Sequence, residues 1–477
     1  MNNNFLYIKV KDNAKLRGIY PESSPEGHWS KNFAALSIHR RKNWAVTVKG
    51  FNRFLWDFEN KKNENVFGMF ASHGALLIAN SETSLKVHDV ENGWDWTKVP
   101  GATTLALDLN ALKLKKGRFY NPKDLVGGLT FKGTSILENG IFGMDFEQPN
   151  YSLSDWRKKI DFEFKKSVFF FENLLVCLGS DIVAKNTGGK IVQTTLFQDK
   201  LTESLSIKIN GVVKRLSTSI SKSTPSKQGQ KFSTLTDTKG NFYYIPDASK
   251  DMLKVHIKNQ ISKTEDGKTA TFGKYGTAWL EHVGFPSQYE YAVIIPTPTY
   301  SPTPYKLASA QETKMKAYNV LEKSKVAHVV QFVILPKTWT PLNHPVTAYV
   351  IFQPSSSLPT NGPVAEVNRG NILIMVEETV EFIHLSISSP SINLEVKRRL
   401  NNSGDAREEE LYQSSSRERK ITVTLKTPVQ RSIVSLMVHD DPDSYKPNVW
   451  VDDAGQKITF LNLKNGFSVE VKLKKKP

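Results

Sequence analysis

The densest group of polar side chains lies between residues 56 and 74, in the stretch WDFENKKNENVFGMFASHG. This stretch brings together carboxylate, amide, hydroxyl and imidazole groups on Glu59, Asn63, Glu64, Asn65, Ser72 and His73. A loop between two strands is a common place for a site, where such groups bind a ligand or move a proton. A solvated turn with incidental carboxylates explains the same residues, and His73 alone is more typical of a structural histidine.

Two tryptophans separated by one residue, Trp94 and Trp96, form a second candidate site in ENGWDWTKVPGATT. In a strand they would point to one face, and Pro100-Gly101 would then reverse the chain. Paired indoles could line a carbohydrate cleft, because sugar rings offer C–H faces that stack on flat aromatic rings. They could also fill the core of a large β-sandwich, and the spacing alone favours the core.

The chain of 477 residues has a formal net charge of +17. A field of this sign attracts polyanions such as nucleic acid, acidic membranes and sulfated polysaccharides, whereas a lysine-rich surface that aids solubility is the alternative. No nucleic-acid-binding signature accompanies the charge, and no apolar run approaches the roughly 20 residues of a membrane span. We therefore expect no nucleic-acid partner and no membrane partner.

Several common active-site patterns are absent from the sequence. It has no phosphate-binding loop, dinucleotide fingerprint, HExxH zinc pair or Gly-x-Ser-x-Gly elbow. The single cysteine, Cys177, excludes an internal disulfide and a four-cysteine metal site, and its apolar surroundings predict a buried, inert thiol. No carboxylate cluster of the kind that Ca²⁺ prefers is visible. We expect no cofactor, and dependence on a divalent cation stays open.

The elements that must position these groups are short strands. Runs such as NWAVTVKGF, GALLIAN, TTLALDL and SVFFFENLLVCLG are rich in β-formers and end at Gly, Asn or Pro. The clearest helix is predicted over 309–326, after a proline-dense linker at 296–305. Strands that follow one another without intervening helices indicate an all-β chain of antiparallel sandwiches. A β domain to about residue 305, a helical connector and a smaller β domain are predicted.

The order of several segments resembles polysaccharide lyase family 8, and within it the chondroitin sulfate ABC lyases. The segments are AALSIHRRKNWAVTVKGF, ENKKNENVFGMFASHGALLI, GWDWTKVPGATT, FKGTSILENGIFGMDF, KKSVFFFENLLVCLGSDI and GTAWLEHVGFPSQYEYAVIIPTP. The resemblance implies a large antiparallel β-sandwich of the galactose-mutarotase-like supersandwich type, followed by a smaller antiparallel β-sandwich. The implied domains are a connector at 1–20 from a missing helical toroid, the central sandwich at 21–305, the helical connector at 306–326 and the small sandwich at 327–477.

The family's chemistry is β-elimination at a uronic acid of a glycosaminoglycan. The proton on C5 is removed only when the adjacent carboxylate is neutralised, after which an acid protonates the leaving O4 oxygen. In the family an Asn, a His, a Tyr and an Arg on the helical domain do most of this, with His and Tyr in a pattern like His-x-Gly-Asn-Tyr-Pro-x-Tyr. These 477 residues contain no such pattern. A chain that lost the helical half and only binds polysaccharide is therefore the alternative function.

One catalytic position of the family lies on the β-sandwich, a glutamate that reaches across the cleft and holds the His, Tyr and Arg network. The matching segment puts it at Glu59, although Lys62 stands where the family often has Asn. The resemblance places Asn65 and His73 at the cleft edge and puts Trp94 and Trp96 where the family has a tryptophan-rich strand. Arg40 and Arg41 join them as candidate substrate-binding residues for their positive charge, although each alone is more typical of a surface residue. For Trp94 and Trp96 the structural role remains the first interpretation. His39, Lys61 and Lys62 could also meet sulfates or uronates.

The implied partners are a sulfated glycosaminoglycan, such as chondroitin or dermatan sulfate, and a separate or upstream helical domain. The family acts outside the cell, so an extracellular location is expected. The first residues, MNNNFLYIKVKDNAKL, contain no apolar segment of the kind found in a secretion signal.

Overall fold

The fold is taken from a computed structural model. It describes residues 3–20, 23–60, 64–80, 82–113, 121, 123, 125–149, 161–225, 230–297, 316–336, 340–394, 399–400, 406–407, 416–439 and 445–477. Nearly all regular structure is antiparallel β-strand, which confirms the all-β prediction. In these residues no helix is both long enough and apolar enough to cross a membrane.

A small four-stranded sheet carries the basic segment and flanks the 56–74 loop. Its order is β1-β2-β3-β4, with β1 Gly27–Lys31, β2 Leu36–Arg41, β3 Trp44–Lys49 and β4 Ala75–Ala79. The burial of β2 and β3 alternates along each strand, as expected for strands with one face in the core. The candidate loop therefore leaves the sheet at the end of β3 and returns at β4.

Two larger sheets form the body of the first part of the chain. One has five strands in the order β13-β16-β17-β10-β5, and the other has nine in the order β12-β11-β14-β15-β18-β9-β8-β7-β6. The strands are β5 Thr103–Leu105, β6 Gly127–Phe131, β7 Asn139–Glu147, β8 Asp161–Phe171, β9 Leu174–Lys185, β10 Val192–Lys200, β11 Ile207–Ile209, β12 Val212–Lys214, β13 Ile220–Ser223, β14 Phe232–Thr236, β15 Phe242–Pro246, β16 Leu253–Lys263, β17 Ala270–His282 and β18 Ser287–Ile294.

The last part of the chain folds into a seven-stranded sheet, a four-stranded sheet and a short two-stranded ribbon. Their orders are β19-β20-β21-β23-β24-β31-β28, β22-β27-β30-β29 and β25-β26. The strands are β19 Tyr318–Lys323, β20 Ala327–Leu335, β21 Thr340–Ile351, β22 Val364–Val367, β23 Ile372–Glu378, β24 Phe382–Ser388, β25 Arg399–Leu400, β26 Ala406–Arg407, β27 Arg419–Leu425, β28 Val429–His439, β29 Val449–Val451, β30 Lys457–Leu463 and β31 Ser468–Lys475.

The end of β8, inside the nine-stranded sheet, is buried on both faces. Val168 and Phe170 of β8 belong to a core shared with the four- and five-stranded sheets. Phe169 and Phe171 of the same strand belong to a second core with the seven-stranded sheet, where Phe171 stacks on Phe332 at 4.8 Å. Because neither face meets water at this end of β8, residues 168–171 form a continuous apolar run instead of an alternating pattern. Two separate hydrophobic cores thus lie on the two faces of this strand.

Helices are few in the described residues, and all but the first are short. They are α1 Asn3–Leu16, α2 Glu82–Val87, α3 Leu109–Leu112 and α4 Asp247–Lys250, with 3₁₀ turns at Asn32–Ala34 and Gly68–Ser72. The helix predicted over 309–326 is wrong at 318–323, which forms β19, and its residues 309–315 lie outside the described part of the chain, as does most of the 296–305 linker. Pairing with β20 and burial of Tyr318 outweigh the helix preference of Lys, Glu and Leu.

Candidate functional site

The turn that precedes Glu59 is built around one buried side chain, Asn52. Its Oδ1 accepts hydrogen bonds from the backbone N–H groups of Phe54 and Leu55, each at 2.8 Å. The backbone N–H of Asn52 donates to the backbone carbonyl of Leu55 at 3.1 Å. The backbone carbonyl of Asn52 accepts from the backbone N–H of Asn121 at 3.2 Å. An asparagine that satisfies successive backbone donors in this way fixes a tight turn. The segment is therefore ordered although it contains no regular strand.

Two phenylalanine side chains of this turn, Phe54 and Phe58, point inward and anchor it on two sides. Phe58 enters the main core, and Asp57 Oδ1 accepts from the Phe58 N–H at 2.8 Å. Phe54 packs instead against Ile392 and Leu394, which belong to the last part of the chain. The turn is consequently held by the sheets of the first part of the chain and by the last part of the chain together.

Glu59 follows the turn and is exposed to solvent. Its backbone carbonyl accepts a hydrogen bond from Asn65 Nδ2 at 2.8 Å, across residues 61–63, which are outside the described part of the chain. Asn65 has a left-handed backbone with φ +46°, a conformation that asparagine tolerates well. The amide of Asn65 thus ties the end of the loop to the backbone beside the Glu59 carboxylate.

The far end of the loop rests on the hairpin between β16 and β17. The Val66 N–H donates to the carbonyl of Glu265, in that hairpin, at 3.0 Å. Gly68 allows the close approach of Asn65, because a Cβ on it would lie 2.3 Å from Asn65 Oδ1. The loop that carries Glu59 and Asn65 is therefore fixed at both ends.

His73 is in the same segment but lies in the core, with none of its surface exposed. Neither ring nitrogen has a hydrogen-bond partner among the described residues. The ring packs against Phe51, Phe70 and Phe146, with centroid distances of 5.5, 5.2 and 4.8 Å. Burial lowers the pKa of His73 from 6.5 to about 3, so the ring is neutral near pH 7. This placement favours a structural role over contact with a ligand.

The basic segment on β2 is also used mainly inside the protein. Arg41 is buried, and its guanidinium donates to the carbonyls of Gly27, Arg40 and Glu138 and to Asn139 Oδ1, at 3.0–3.3 Å. It also lies 3.4 Å from Glu172 Oε2. His39 is buried against Trp44, whereas Arg40 is half-buried. Arg40 is therefore the residue of this segment that best fits contact with an anion.

Trp94 and Trp96 lie in an irregular segment instead of a strand, and both enter the main core. They are 2% and 9% exposed. The indole N–H of Trp96 donates to the carbonyl of Lys263 at 2.9 Å, and Trp94 packs against the rings of His88 and Tyr275. The predicted turn at Pro100-Gly101 is present, with φ +78° at Gly101. Burial argues against sugar stacking and agrees with the core interpretation.

Two exposed residues of the turn that precedes Glu59, Arg53 and Trp56, were not singled out from the sequence. Trp56 is 38% exposed and lies three positions before Glu59. Arg53 is exposed three positions earlier, and its Nη2 lies 3.3 Å from Ser391 Oγ. The signal that could have found them is the position of Phe54 and Phe58, whose inward anchoring turns Arg53 and Trp56 to the surface.

Within the described residues no group of three or more His, Cys, Asp and Glu side chains is arranged to hold a metal ion. Cys177 is buried as predicted, and burial raises the pKa of its thiol to about 11. No cofactor role is assigned to these residues.

Comparisons with known proteins agree on one family. A family profile described as "Polysaccharide lyase family 8, super-sandwich domain" matches residues 29–304. The chondroitin sulfate ABC endolyase of Proteus vulgaris is 31% identical over 382 residues, which cover 79% of this chain and 34% of that protein. The chondroitin sulfate ABC exolyase of Bacteroides thetaiotaomicron is 26% identical over 488 residues, which cover 96% of this chain and 42% of that protein. The chain thus spans well under half the length of these relatives.

Solved structures show the same fold. A Paenibacillus xanthan lyase superposes with a TM-score of 0.70 at 17% identity, covering 99% of this chain and 40% of that one. A Streptomyces coelicolor A3 chondroitin AC lyase in complex with chondroitin sulphate superposes with a TM-score of 0.66 at 16% identity, covering 98% of this chain and 53% of that one. The profile extends over more than half of the chain and includes the loop that carries Glu59, so this chain belongs to polysaccharide lyase family 8 and contains its super-sandwich domain.

Proposed function

We propose that this chain is the β-sheet part of a glycosaminoglycan lyase that cleaves chondroitin or dermatan sulfate by β-elimination. The observation that carries the proposal is the position of Glu59, an exposed carboxylate at the end of an ordered turn inside the matched family segment. A buried carboxylate at this position would have contradicted it. The net charge of +17 suits a polyanionic substrate.

In this proposal Glu59 is a positioning residue. The carboxylate accepts hydrogen bonds from cationic or hydroxyl groups of a facing helical domain and holds them against the uronate. Asn65 keeps the backbone beside Glu59 in place through its 2.8 Å bond to the Glu59 carbonyl. The facing groups neutralise the uronate carboxylate, remove the C5 proton and protonate the leaving oxygen.

We also propose that the central sandwich spans 21–305, that the small sandwich spans 327–477 and that the protein acts outside the cell.

A second candidate function is binding of the polysaccharide without cleavage. The observation that favours it is the absence from these 477 residues of the His and Tyr pattern that the family uses for proton transfer. In this case the sheet and its basic surface hold the polymer, and Glu59 takes no part in a reaction.

Incubation of the purified chain with chondroitin sulfate separates the two candidates. Elimination creates a conjugated unsaturated uronate, which is followed by its ultraviolet absorbance. If absorbance rises, Glu59→Gln should lower the rate by orders of magnitude with unchanged unfolding, whereas Glu203→Gln, at an exposed carboxylate elsewhere, should not. Near-normal turnover of Glu59→Gln would refute the residue assignment. Retention on a chondroitin sulfate column with no absorbance change would favour the second candidate.

A further inference from the structure

Exposed side chains recur at every third residue along the turn that precedes Glu59. They are Arg53, Trp56 and Glu59 itself. Cα atoms three positions apart in one chain lie at most about 11 Å from each other. The guanidinium, the indole and the carboxylate are therefore grouped within the span of a short oligosaccharide. We call the first two residues the Arg53–Trp56 surface.

The exposure of this surface follows from how the turn is anchored. Asn52 caps the backbone of the turn, and Phe54 is buried against Ile392 and Leu394. Arg53 lies over the ring of Phe54 at 4.9 Å as well as beside Ser391. Because the backbone and the inward side chains are fixed, Trp56 and Arg53 are presented to solvent on an ordered segment.

The chemistry of the surface fits an acidic sugar polymer. An indole offers a flat apolar face to the C–H groups of a pyranose ring, at a small entropic cost because only two torsions are ordered. A guanidinium binds carboxylate and sulfate oxygens with parallel N–H donors. A polymer of alternating hexosamine and uronic acid supplies both groups in each repeat, and its charge is opposite to that of the chain.

We propose that the Arg53–Trp56 surface is a substrate-binding site, in which Trp56 stacks on a sugar ring beside the one held near Glu59 and Arg53 pairs with its acidic substituent. The proposal rests on the proposed function for the identity of the polymer. It assigns to Trp56 the role that the sequence pattern offered to Trp94 and Trp96, which are buried.

The test measures binding of chondroitin sulfate to the full chain by calorimetry. Trp56→Ala is expected to weaken binding by about tenfold, as for other buried-on-binding aromatic anchors. Trp56→Phe, which keeps a ring, should lose less. The control is Trp450→Ala, because Trp450 is 49% exposed on β29 of another sheet and should have no effect. Arg53→Gln should weaken binding of chondroitin sulfate more than binding of desulfated chondroitin.

A second measurement does not depend on the alanine variant folding. Acrylamide quenches the fluorescence of exposed indoles. In the wild-type chain, saturating chondroitin sulfate should protect part of the fluorescence from quenching. In Trp56→Phe this protection should be absent. Wild-type affinity in Trp56→Ala, or equal protection in Trp56→Phe, would overturn the Arg53–Trp56 surface and leave the proposed function standing. A wild-type chain that neither binds nor cleaves chondroitin sulfate would overturn both.

Discussion

Replacement of His73 by leucine tests whether this histidine belongs to the core or to the binding site. Both ring nitrogens lack partners among the described residues, and the ring is enclosed by Phe51, Phe70 and Phe146. A buried polar group without a hydrogen bond costs about 1–3 kcal/mol. Leucine fills a similar volume without this cost, so the free energy of unfolding of His73→Leu near neutral pH should equal or exceed that of the wild type.

The pH dependence supplies the magnitude. Burial lowers the pKa of His73 to about 3, against 6.5 for an ordinary histidine. Between these values the unfolded chain binds a proton that the folded chain does not, so the stability of the wild type falls as the pH falls below about 6.5. Each pH unit in that window costs about 1.4 kcal/mol. At a pH of about 5 the loss through His73 is thus about 2 kcal/mol.

The assay is urea unfolding, followed by tryptophan fluorescence, of the wild type and His73→Leu at a pH of about 7.5 and of about 5. The stability of the variant relative to the wild type should rise by about 2 kcal/mol at the lower pH, because the other histidines are common to both proteins. His344→Leu, at a half-buried site on β21, is the matched control for the substitution itself. A difference independent of pH would refute the reasoning. Loss of chondroitin sulfate binding by a stable His73→Leu would show that His73 contacts the ligand.

Three further predictions concern the support of the site and the core. Leu394→Ala should destabilise the chain by about 2–4 kcal/mol and weaken chondroitin sulfate binding, because it opens a cavity under Phe54; urea unfolding and calorimetry measure both, and unchanged binding would mean that the turn is held without it. Cys177 should react with a thiol reagent only after unfolding, because burial raises its pKa to about 11; rapid labelling of the folded chain would contradict its placement. A chain ending at residue 305 should aggregate on size-exclusion chromatography, because the face of the nine-stranded sheet that carries Phe169 and Phe171 loses its cover; a soluble monomer of wild-type stability would show that the two parts fold independently.

The fold class could be predicted from the sequence because strand propensity and turn residues recur throughout the chain. Burial and strand pairing explain one correct prediction of strands and one wrong prediction of a helix. The runs at 168–171 and 174–178 are apolar without alternation, and the structure gives the cause, since these parts of β8 and β9 are covered on both faces. The 318–323 segment is rich in helix-forming residues, yet it is a strand, because local preference yields to pairing with β20 and to burial of Tyr318.

The site could be predicted only in part, because irregular loops have no period from which to infer which side chains face solvent. Glu59 and His73 stand in one polar stretch, but Glu59 is exposed and His73 is enclosed. The tryptophan pair was judged by strand alternation, whereas the segment is irregular and both indoles are buried. Trp56 was overlooked because the sequence of an irregular loop does not show that Phe54 points inward; the residues that bury Phe54, Ile392 and Leu394, are 338 and 340 positions distant in the chain.

These distant contacts also bear on the role of the C-terminal sheets. The turn before Glu59 has two inward anchors, and only Phe58 belongs to the main core in the first part of the chain. The other, Phe54, is covered by residues 392 and 394, while Ser391 lies 3.3 Å from the guanidinium of Arg53. A side chain aimed at a ligand must be held by supporting contacts to keep its orientation. The C-terminal region therefore does more than cover a second face of the nine-stranded sheet, because it also supports the turn from which Arg53, Trp56 and Glu59 project.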